Sequence, residues 1–320
     1  MGLFSSFFSP AKTTESDEQQ PDMKNFELLK YDGIRALRIG QPAYALKCFT
    51  GALKIQKDPE TMRYLVTACN SLDEHELALE TLNELVATGD EPANSLLMRA
   101  HFLYTQEQYA EAAVDCGQII ELEPDNHPAY YLLAKSELAL EESAKAIESL
   151  DRATGIKDDY AECYALRAEI YQSIGKNDDA LKDIEKAIEL TPEDETAYLL
   201  RGRIHEQIGN FESAYADFLQ ALELNPFNTE AYLAAGRLLT NQGKYDEAIA
   251  LFEEAEEHVE PSAQVYTAKA LAKRQSGDEQ GAIADEEKAK SLASDEEEDE
   301  SDAPKENPGF ENLYKGGIYG

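Results

Sequence analysis

The chain has no tryptophan, few cations and no long apolar run. Only 29 Lys and Arg residues stand against 64 Asp and Glu residues among 320, so the formal charge at pH 7 is −35. A protein of this charge repels nucleic acid and anionic membranes, and it offers no basic stripe to a phosphate backbone. No apolar run approaches the roughly 20 residues of a membrane-spanning helix. The composition therefore argues against a nucleic-acid partner and against a transmembrane segment.

Cysteine is also scarce, and its spacing contains no C-x-x-C pair. The four residues are Cys48, Cys69, Cys116 and Cys163. This pattern favours reduced thiols over a disulfide framework or a zinc site, and a cytoplasmic location is the simplest expectation. The sequence contains no glycine-rich phosphate loop and no spacing that indicates a nucleophile with its base. We therefore predict a protein that is not an enzyme and holds no metal or cofactor.

The first 25 residues differ from the rest and are predicted to form a disordered leader. They lack the cationic region of a secretory signal. Gly2 and Ser6 match a loose myristoylation pattern, but the flanking residues provide no polybasic second signal. Membrane binding is therefore not favoured. The alternative function that stays open is a membrane-tethered assembly factor anchored through residues 2–8.

From residue 26 to residue 294 the sequence repeats with a period of 34 residues, the first interval being 33. Eight copies begin near residues 26, 59, 93, 127, 161, 195, 229 and 263. Each copy has alanine at one position: Ala45, Ala78, Ala112, Ala146, Ala180, Ala214, Ala248 and Ala282. A mostly small residue, such as Gly33 or Gly202, lies twelve positions earlier, and we expect it to contact the alanine. Such small side chains indicate two closely packed helices in each copy.

Local signals in the sixth copy also indicate a helical hairpin. Tyr198 and Gly202 belong to one stripe of helical spacing, and Phe218 belongs to a second. Gly209 stands between the stripes, where a helix ends with a left-handed residue. Pro226 follows the second stripe, because proline cannot continue a helix. Two helices and two turns therefore fill one copy.

These positions resemble the tetratricopeptide repeat. The family pattern is met in the sixth copy by Tyr198, Arg201, Gly202, His205, Ala214, Phe218 and Pro226. The resemblance covers residues 26–294 and implies an all-α fold, a right-handed superhelical solenoid of stacked antiparallel helix pairs. It further implies a non-catalytic scaffold that binds a partner protein or peptide in a concave groove lined by the first helix of each pair.

The last copy departs from this pattern. Lys273 and Glu286 occupy columns that hold Tyr171 and Phe252 in other copies. We expect this copy to be the polar cap that a solenoid needs at its end. His205 shares the column of Tyr171, so it is expected to be a partly buried packing residue and not a general base.

A column of cations is matched by aspartates sixteen residues later. The matched pairs are Arg99 with Asp115, Arg167 with Asp183, Arg201 with Asp217, and Lys269 with Asp285. The four copies that lack the cation also lack the aspartate. We predict an ion pair between the two helices of a repeat, contributing up to ~1 kcal/mol if it stays partly solvated.

One face of the first helices collects cations and apolar side chains. The candidate residues of a partner-binding groove are Lys30, Arg63, Leu97, His101, Tyr104, Tyr131, Lys135, Arg203 and Arg237. Cations beside aromatic rings suit an acidic, partly apolar peptide. The alternative is that each is a solvated helix residue.

Residues 295–320 are predicted to form a disordered tail with an acidic run and an end rich in glycine and aromatic residues. The acidic run, residues 295–302, is a candidate ligand for the chain's own cationic face. Tethered to the repeats, it would compete with outside partners through its effective concentration. The alternative is that it only keeps the protein in solution.

Overall fold

A computed structural model describes the backbone of residues 15–302 and the side chains of residues 22–294. This part of the chain contains sixteen helices and no strand. The helices are α1 (Glu15–Arg38), α2 (Pro42–Ile55), α3 (Pro59–Asn70), α4 (His75–Thr88), α5 (Pro92–Thr105), α6 (Tyr109–Leu122), α7 (His127–Ala139), α8 (Ser143–Ile156), α9 (Ala161–Ser173), α10 (Asn177–Leu190), α11 (Glu195–Gln207), α12 (Phe211–Leu224), α13 (Thr229–Asn241), α14 (Tyr245–His258), α15 (Ala263–Ser276) and α16 (Glu279–Asp302).

The helices form eight successive pairs, and the chain divides into two compact units. The first unit ends at Asp158 and contains α1 to α8, and the second contains α9 to α16. Within each unit, the second helix of a pair packs against its own first helix and against the first helix of the following pair. The predicted all-α stack of helix pairs is confirmed in both units.

The core confirms that the alanine column is buried and shows what lies closest to the glycines of the small column. All eight alanines are fully buried. A Cβ built on Gly202 would lie 2.5 Å from Phe218 Cε1. Gly33 and Gly236 face Phe49 and Phe252 in the same way. In these copies the glycine therefore makes room for the side chain sixteen positions later.

A residue in the left-handed conformation follows the first helix of a pair, as predicted for Gly209. Gly175 and Gly209 have φ angles of 75° and 83°. In the second, third and fourth copies the same position holds Asp73, Glu107 and Glu141, with φ of 55°, 59° and 62°. The conformation is kept there without glycine, which indicates that packing of the two helices imposes it.

We expect Glu141→Gly to raise the free energy of unfolding by about 0.5–1 kcal/mol. The left-handed conformation costs an L-residue about 1–2 kcal/mol, which exceeds the backbone entropy that glycine loses on folding. Urea denaturation of both proteins measures the change. The matched control is Gly175→Ala in the same column, which should lower stability; a Glu141→Gly protein no more stable than the parent would contradict the prediction.

The first and last helices extend past the predicted repeats. Helix α1 begins at Glu15, ahead of the first copy, and α16 continues through the acidic run to Asp302. The predicted boundaries of leader and tail therefore differ from the helix limits. The physical reason is that Glu, Gln and Lys favour helix, and extending a helix needs no new nucleation. Residues 1–14 and 303–320 lie outside the described residues.

The two unusual residues of the last copy form separate ion pairs. Lys273 Nζ lies 2.7 Å from Asp285 Oδ2, and Glu286 pairs with Arg274. Charged groups thus occupy the positions that hold Tyr171 and Phe252 in the fifth and seventh copies. This arrangement agrees with the polar face expected of a terminal repeat.

Candidate functional site

The predicted ion pairs between paired helices are present and belong to the scaffold. Arg201 Nε and Nη2 donate to Asp217 Oδ2 and Oδ1 at 3.0 and 2.6 Å. Arg99 and Arg167 bind their aspartates with the same two-pronged geometry. Lys269 departs from it, because its Nζ is 3.4 Å from Asp285 Oδ1 and also pairs with Glu256. The hydrogen bonds to Asp217 raise the pKa of Arg201.

His205 and the cysteines occupy packing positions. His205 Nε2 lies 3.9 Å from Asp217 Oδ2, and its side chain is largely buried. All four cysteines are buried, and none of them forms a disulfide. Burial raises the pKa of Cys69 to about 11 and that of Cys116 to about 12, so both thiols stay protonated at neutral pH and are poor nucleophiles. Among the side chains of residues 22–294, no group of His, Cys, Asp or Glu is arranged to hold a metal ion.

The nine candidate groove residues lie on the first helices of six repeats. In the first unit they are Lys30 on α1, Arg63 on α3, Leu97, His101 and Tyr104 on α5, and Tyr131 and Lys135 on α7; in the second unit they are Arg203 on α11 and Arg237 on α13. Their environments differ, and the predicted cationic face divides into paired and unpaired cations.

Two cations of the first unit bind carboxylates at the start of the following repeat. Lys30 Nζ lies 2.9 Å from Asp58 Oδ2 and 2.6 Å from Glu60 Oε2. Arg63 Nη2 lies 2.7 Å from Asp90 Oδ2 and also contacts Glu91. These cations connect successive repeats. An external anion would have to displace the chain's own carboxylates to reach them.

The two cations of the second unit are also paired between repeats. Arg203 contacts Glu230, and Arg237 Nη2 lies 3.0 Å from Glu206 Oε2. Both pairs are open to solvent, so each contributes little to stability. Sequence reasoning missed these carboxylates because each lies 27 or 31 residues from its arginine, in a neighbouring copy.

Lys135 has a different environment. Its Nζ lies 4.7 Å from the centroid of the Tyr104 ring and 5.9 Å from that of Tyr131. No carboxylate among the described residues forms an ion pair with it. Burial of the ammonium lowers its pKa. The side chain is therefore a partly desolvated cation held by the faces of two tyrosine rings from neighbouring repeats.

The Tyr104 ring that faces Lys135 also has apolar and aromatic neighbours. Leu97 and Tyr104 pack against a buried cluster that includes Cys116. Tyr109, which sequence reasoning missed because it lies on a second helix, meets the Tyr104 ring edge-on at 5.3 Å. Burial, with the nearby Lys135 ammonium, lowers the pKa of His101 to about 4. We call Leu97, His101, Tyr104, Tyr131 and Lys135 together the Lys135 site.

The depressed pKa of His101 predicts a loss of stability in acid. Unfolded histidine has a pKa near 6.5, so between about pH 6.5 and pH 4 the unfolded chain binds more protons and stability falls as the pH falls. The full shift corresponds to about 3 kcal/mol. We expect His101→Gln to remove this part of the pH dependence, as measured by urea denaturation at pH 7 and pH 4.5. The control is His258→Gln on α14; equal pH dependence of parent and His101→Gln proteins would contradict the prediction.

Models of the tetratricopeptide repeat family match residues 103–170, 166–229, 208–258 and 233–297. These matches overlap and together span more than half of the chain. The chain belongs to the tetratricopeptide repeat family. Its first two repeats precede the matched segment and consist of the same helix pairs, α1 with α2 and α3 with α4.

Solved structures of three proteins share this fold with the tetratricopeptide repeat chain. A tetratricopeptide repeat protein from Parabacteroides merdae has 17% identity and a TM-score of 0.52, with 84% of this chain and 93% of that chain covered. PilF from Pseudomonas aeruginosa has 19% identity and a TM-score of 0.53, covering 66% and 96%. PilW, a type IV pilus biogenesis factor, has 21% identity and a TM-score of 0.53, covering 60% and 90%. At these identities the likeness concerns the fold alone.

A comparison with curated proteins gave no match. Membership of the tetratricopeptide repeat family supports a protein-interaction scaffold, since such solenoids present extended binding surfaces. Within residues 15–302, no helix is long and apolar enough to cross a membrane. The alternative anchor, residues 2–8, lies outside the described residues.

Proposed function

We propose that this tetratricopeptide repeat protein is a non-catalytic scaffold that binds an acidic, partly apolar segment of a partner protein at the Lys135 site. The observation that carries the proposal is the environment of Lys135, a half-buried ammonium without a carboxylate partner in the described part of the chain. The cations of the other repeats differ from Lys135, because the chain's own carboxylates already neutralise their charges.

The energetics of the Lys135 site favour an anionic ligand. Partial burial weakens the hydration of the ammonium, and two tyrosine rings replace only part of it. A carboxylate from a partner would restore a charge-assisted hydrogen bond, contributing about 1.5–3 kcal/mol. It would also raise the depressed pKa of Lys135 towards its ordinary value.

The apolar part of the ligand follows from the other side chains of the Lys135 site. Tyr104, Tyr131 and Leu97 present half-buried carbon surface, and aromatic rings provide much of the binding energy in protein interfaces. Neutral His101 donates or accepts one hydrogen bond without adding charge. An acidic residue flanked by apolar side chains fits these features.

Lys135→Met is expected to weaken such binding about 10- to 100-fold, because it removes the charge and keeps the length and apolar contacts of the side chain. Peptides selected from a random display library on the parent protein provide the ligands, and fluorescence anisotropy measures their Kd. The matched control is Lys47→Met on α2, an exposed lysine. Selected peptides that carry no acidic residue, or equal Kd values for the parent and Lys135→Met proteins, would contradict the proposal.

We also propose that residues 295–302 compete with partner peptides for the Lys135 site. The same anisotropy assay on a chain ending at Ser294 tests it. A competing segment would make the shortened chain bind the selected acidic peptides more tightly. An unchanged Kd would remove the competition and leave the Lys135 site unaffected.

A further inference from the structure

The outward side of α1 exposes a row of residues at positions that other repeats bury. Leu28, Tyr31 and Arg35 follow the i, i+3, i+7 spacing of one helix face. Leu28 is 60% exposed and Tyr31 68% exposed, and Arg35 is also exposed. We call these three residues the α1 end face.

Wherever another repeat precedes within the same unit, the positions equivalent to Leu28 and Arg35 are buried and those equivalent to Tyr31 are buried or half-buried. The equivalents of Leu28 are at most 2% exposed: Thr61, Ser95, Ala129, Ala197, Ala231 and Val265. The equivalents of Arg35 are at most 3% exposed: Ala68, Phe102, Ser136, Ile204, Leu238 and Ala272. These positions meet the second helix of the preceding pair, as shown by Tyr64, the equivalent of Tyr31, which stacks on Phe49 of α2 at 5.7 Å. The α1 end face is therefore a docking surface without a described neighbour.

We propose that the apolar residues of the chain's own segment 3–8 cover the α1 end face. The segment contains Leu3, Phe4, Phe7 and Phe8, and no residue before Lys12 carries a charged side chain. Leucine and phenylalanine match the exposed Leu28 and Tyr31, and a phenyl ring can cover the Arg35 guanidinium by a cation–π contact. An acidic occupant would leave Leu28 and Tyr31 unmatched.

The length of chain between the two parts permits this contact. Leu28 lies roughly 20 Å along α1 from Glu15, at about 1.5 Å per residue. The seven residues from Phe8 to Glu15 span about 23 Å when extended, at about 3.3 Å per residue. More residues separate Phe7 and Phe4 from Glu15, so the extended chain is long enough for their side chains to contact Tyr31 and Arg35, respectively. Because the segment is tethered to α1, its effective concentration at the end face is in the millimolar range.

The absence of tryptophan from the chain makes a single fluorescent reporter possible. We expect the Phe7→Trp protein to show blue-shifted indole emission and protection from acrylamide quenching, measured without lipid. Adding Leu28→Asp and Tyr31→Asp should abolish both the shift and the protection. The matched control is Val114→Asp on α6, which is also 60% exposed and should leave the emission unchanged. Circular dichroism checks that each variant keeps its helices.

Three results would overturn the inference. The first is solvent-exposed emission from the Phe7→Trp protein, or emission that ignores the substitutions in the end face. The second is a blue shift that disappears on dilution, which would assign the end face to the segment of a second copy. The third is protection that requires phosphatidylcholine vesicles, which would assign residues 3–8 to a membrane surface. None of these results bears on the Lys135 site, so the two proposals fail independently.

Discussion

Gly236→Ala is expected to lower the free energy of unfolding by about 2 kcal/mol, although alanine is the better helix former. A Cβ on this residue would lie 2.2 Å from Phe252 Cζ and 2.4 Å from Cε1. The Phe252 ring is fully buried in a cluster that includes Tyr232 and Leu239, so it has no free space to enter. Overpacking of about 3 kcal/mol therefore exceeds the ~1 kcal/mol gained from helix propensity.

The compensating variant for Gly236→Ala is Phe252→Leu, because the fourth copy already combines Ala134 with Leu150 at these positions. Phe252→Leu alone leaves a cavity and should also destabilise. The double variant should be more stable than the sum of the single effects predicts. Hydrogen exchange of α13 and α14 amides measures the local stability, since repeat proteins need not unfold in one step. Additive effects would show that the ring and the glycine are not coupled.

Arg201→Leu is expected to lower the free energy of unfolding by about 2–3 kcal/mol. The cost exceeds that of a solvated ion pair because the Asp217 side chain is only 7% exposed and loses both of its charged hydrogen bonds. Arg203→Leu is the matched control, two residues along the same helix. Its pair with Glu230 is exposed at both ends, so we expect a change of at most about 1 kcal/mol.

A second substitution tests the cause of the Arg201→Leu effect. The second copy combines Leu65 with Thr81 at the positions of Arg201 and Asp217. Adding Asp217→Thr removes the buried carboxylate and should recover most of the lost stability. Thermal and urea denaturation of the parent, both single variants and the double variant measure the coupling. A double variant that is less stable than Arg201→Leu would contradict the explanation.

The alanine, cation and small columns show how much of the core could be predicted from the sequence. The alanine column and the cation–aspartate pairs were predicted from position alone, and the structure confirms both. The contact of the small column with the residue sixteen positions later was not predicted. A further pattern was available in the sequence: the three phenylalanines Phe49, Phe218 and Phe252 occur only in copies with glycine at the small position. A large phenylalanine on the second helix is matched by a glycine on the first, and this match in volume identifies the contact.

The candidate site was predicted less completely than the fold. The sequence places Lys135, Arg203 and Arg237 on one face of their helices, and in that respect they look alike. The carboxylate partners of Arg203 and Arg237 lie in neighbouring copies, so the charge that a cation presents depends on how repeats stack. Only for Lys135 does the neighbouring repeat contribute a tyrosine ring in place of a carboxylate.

Contacts within one repeat can be predicted from the sequence because both partners recur at constant spacing. Arg201 and Asp217, for example, lie sixteen residues apart. The left-handed turns and the buried alanines are local in the same sense, so the 34-residue period was enough to predict them. Contacts between repeats vary from copy to copy, and only the packed structure shows which side chains they join. The unpaired ammonium of Lys135 and the exposed Leu28 are such cases, because both depend on what the neighbouring repeat does or does not supply.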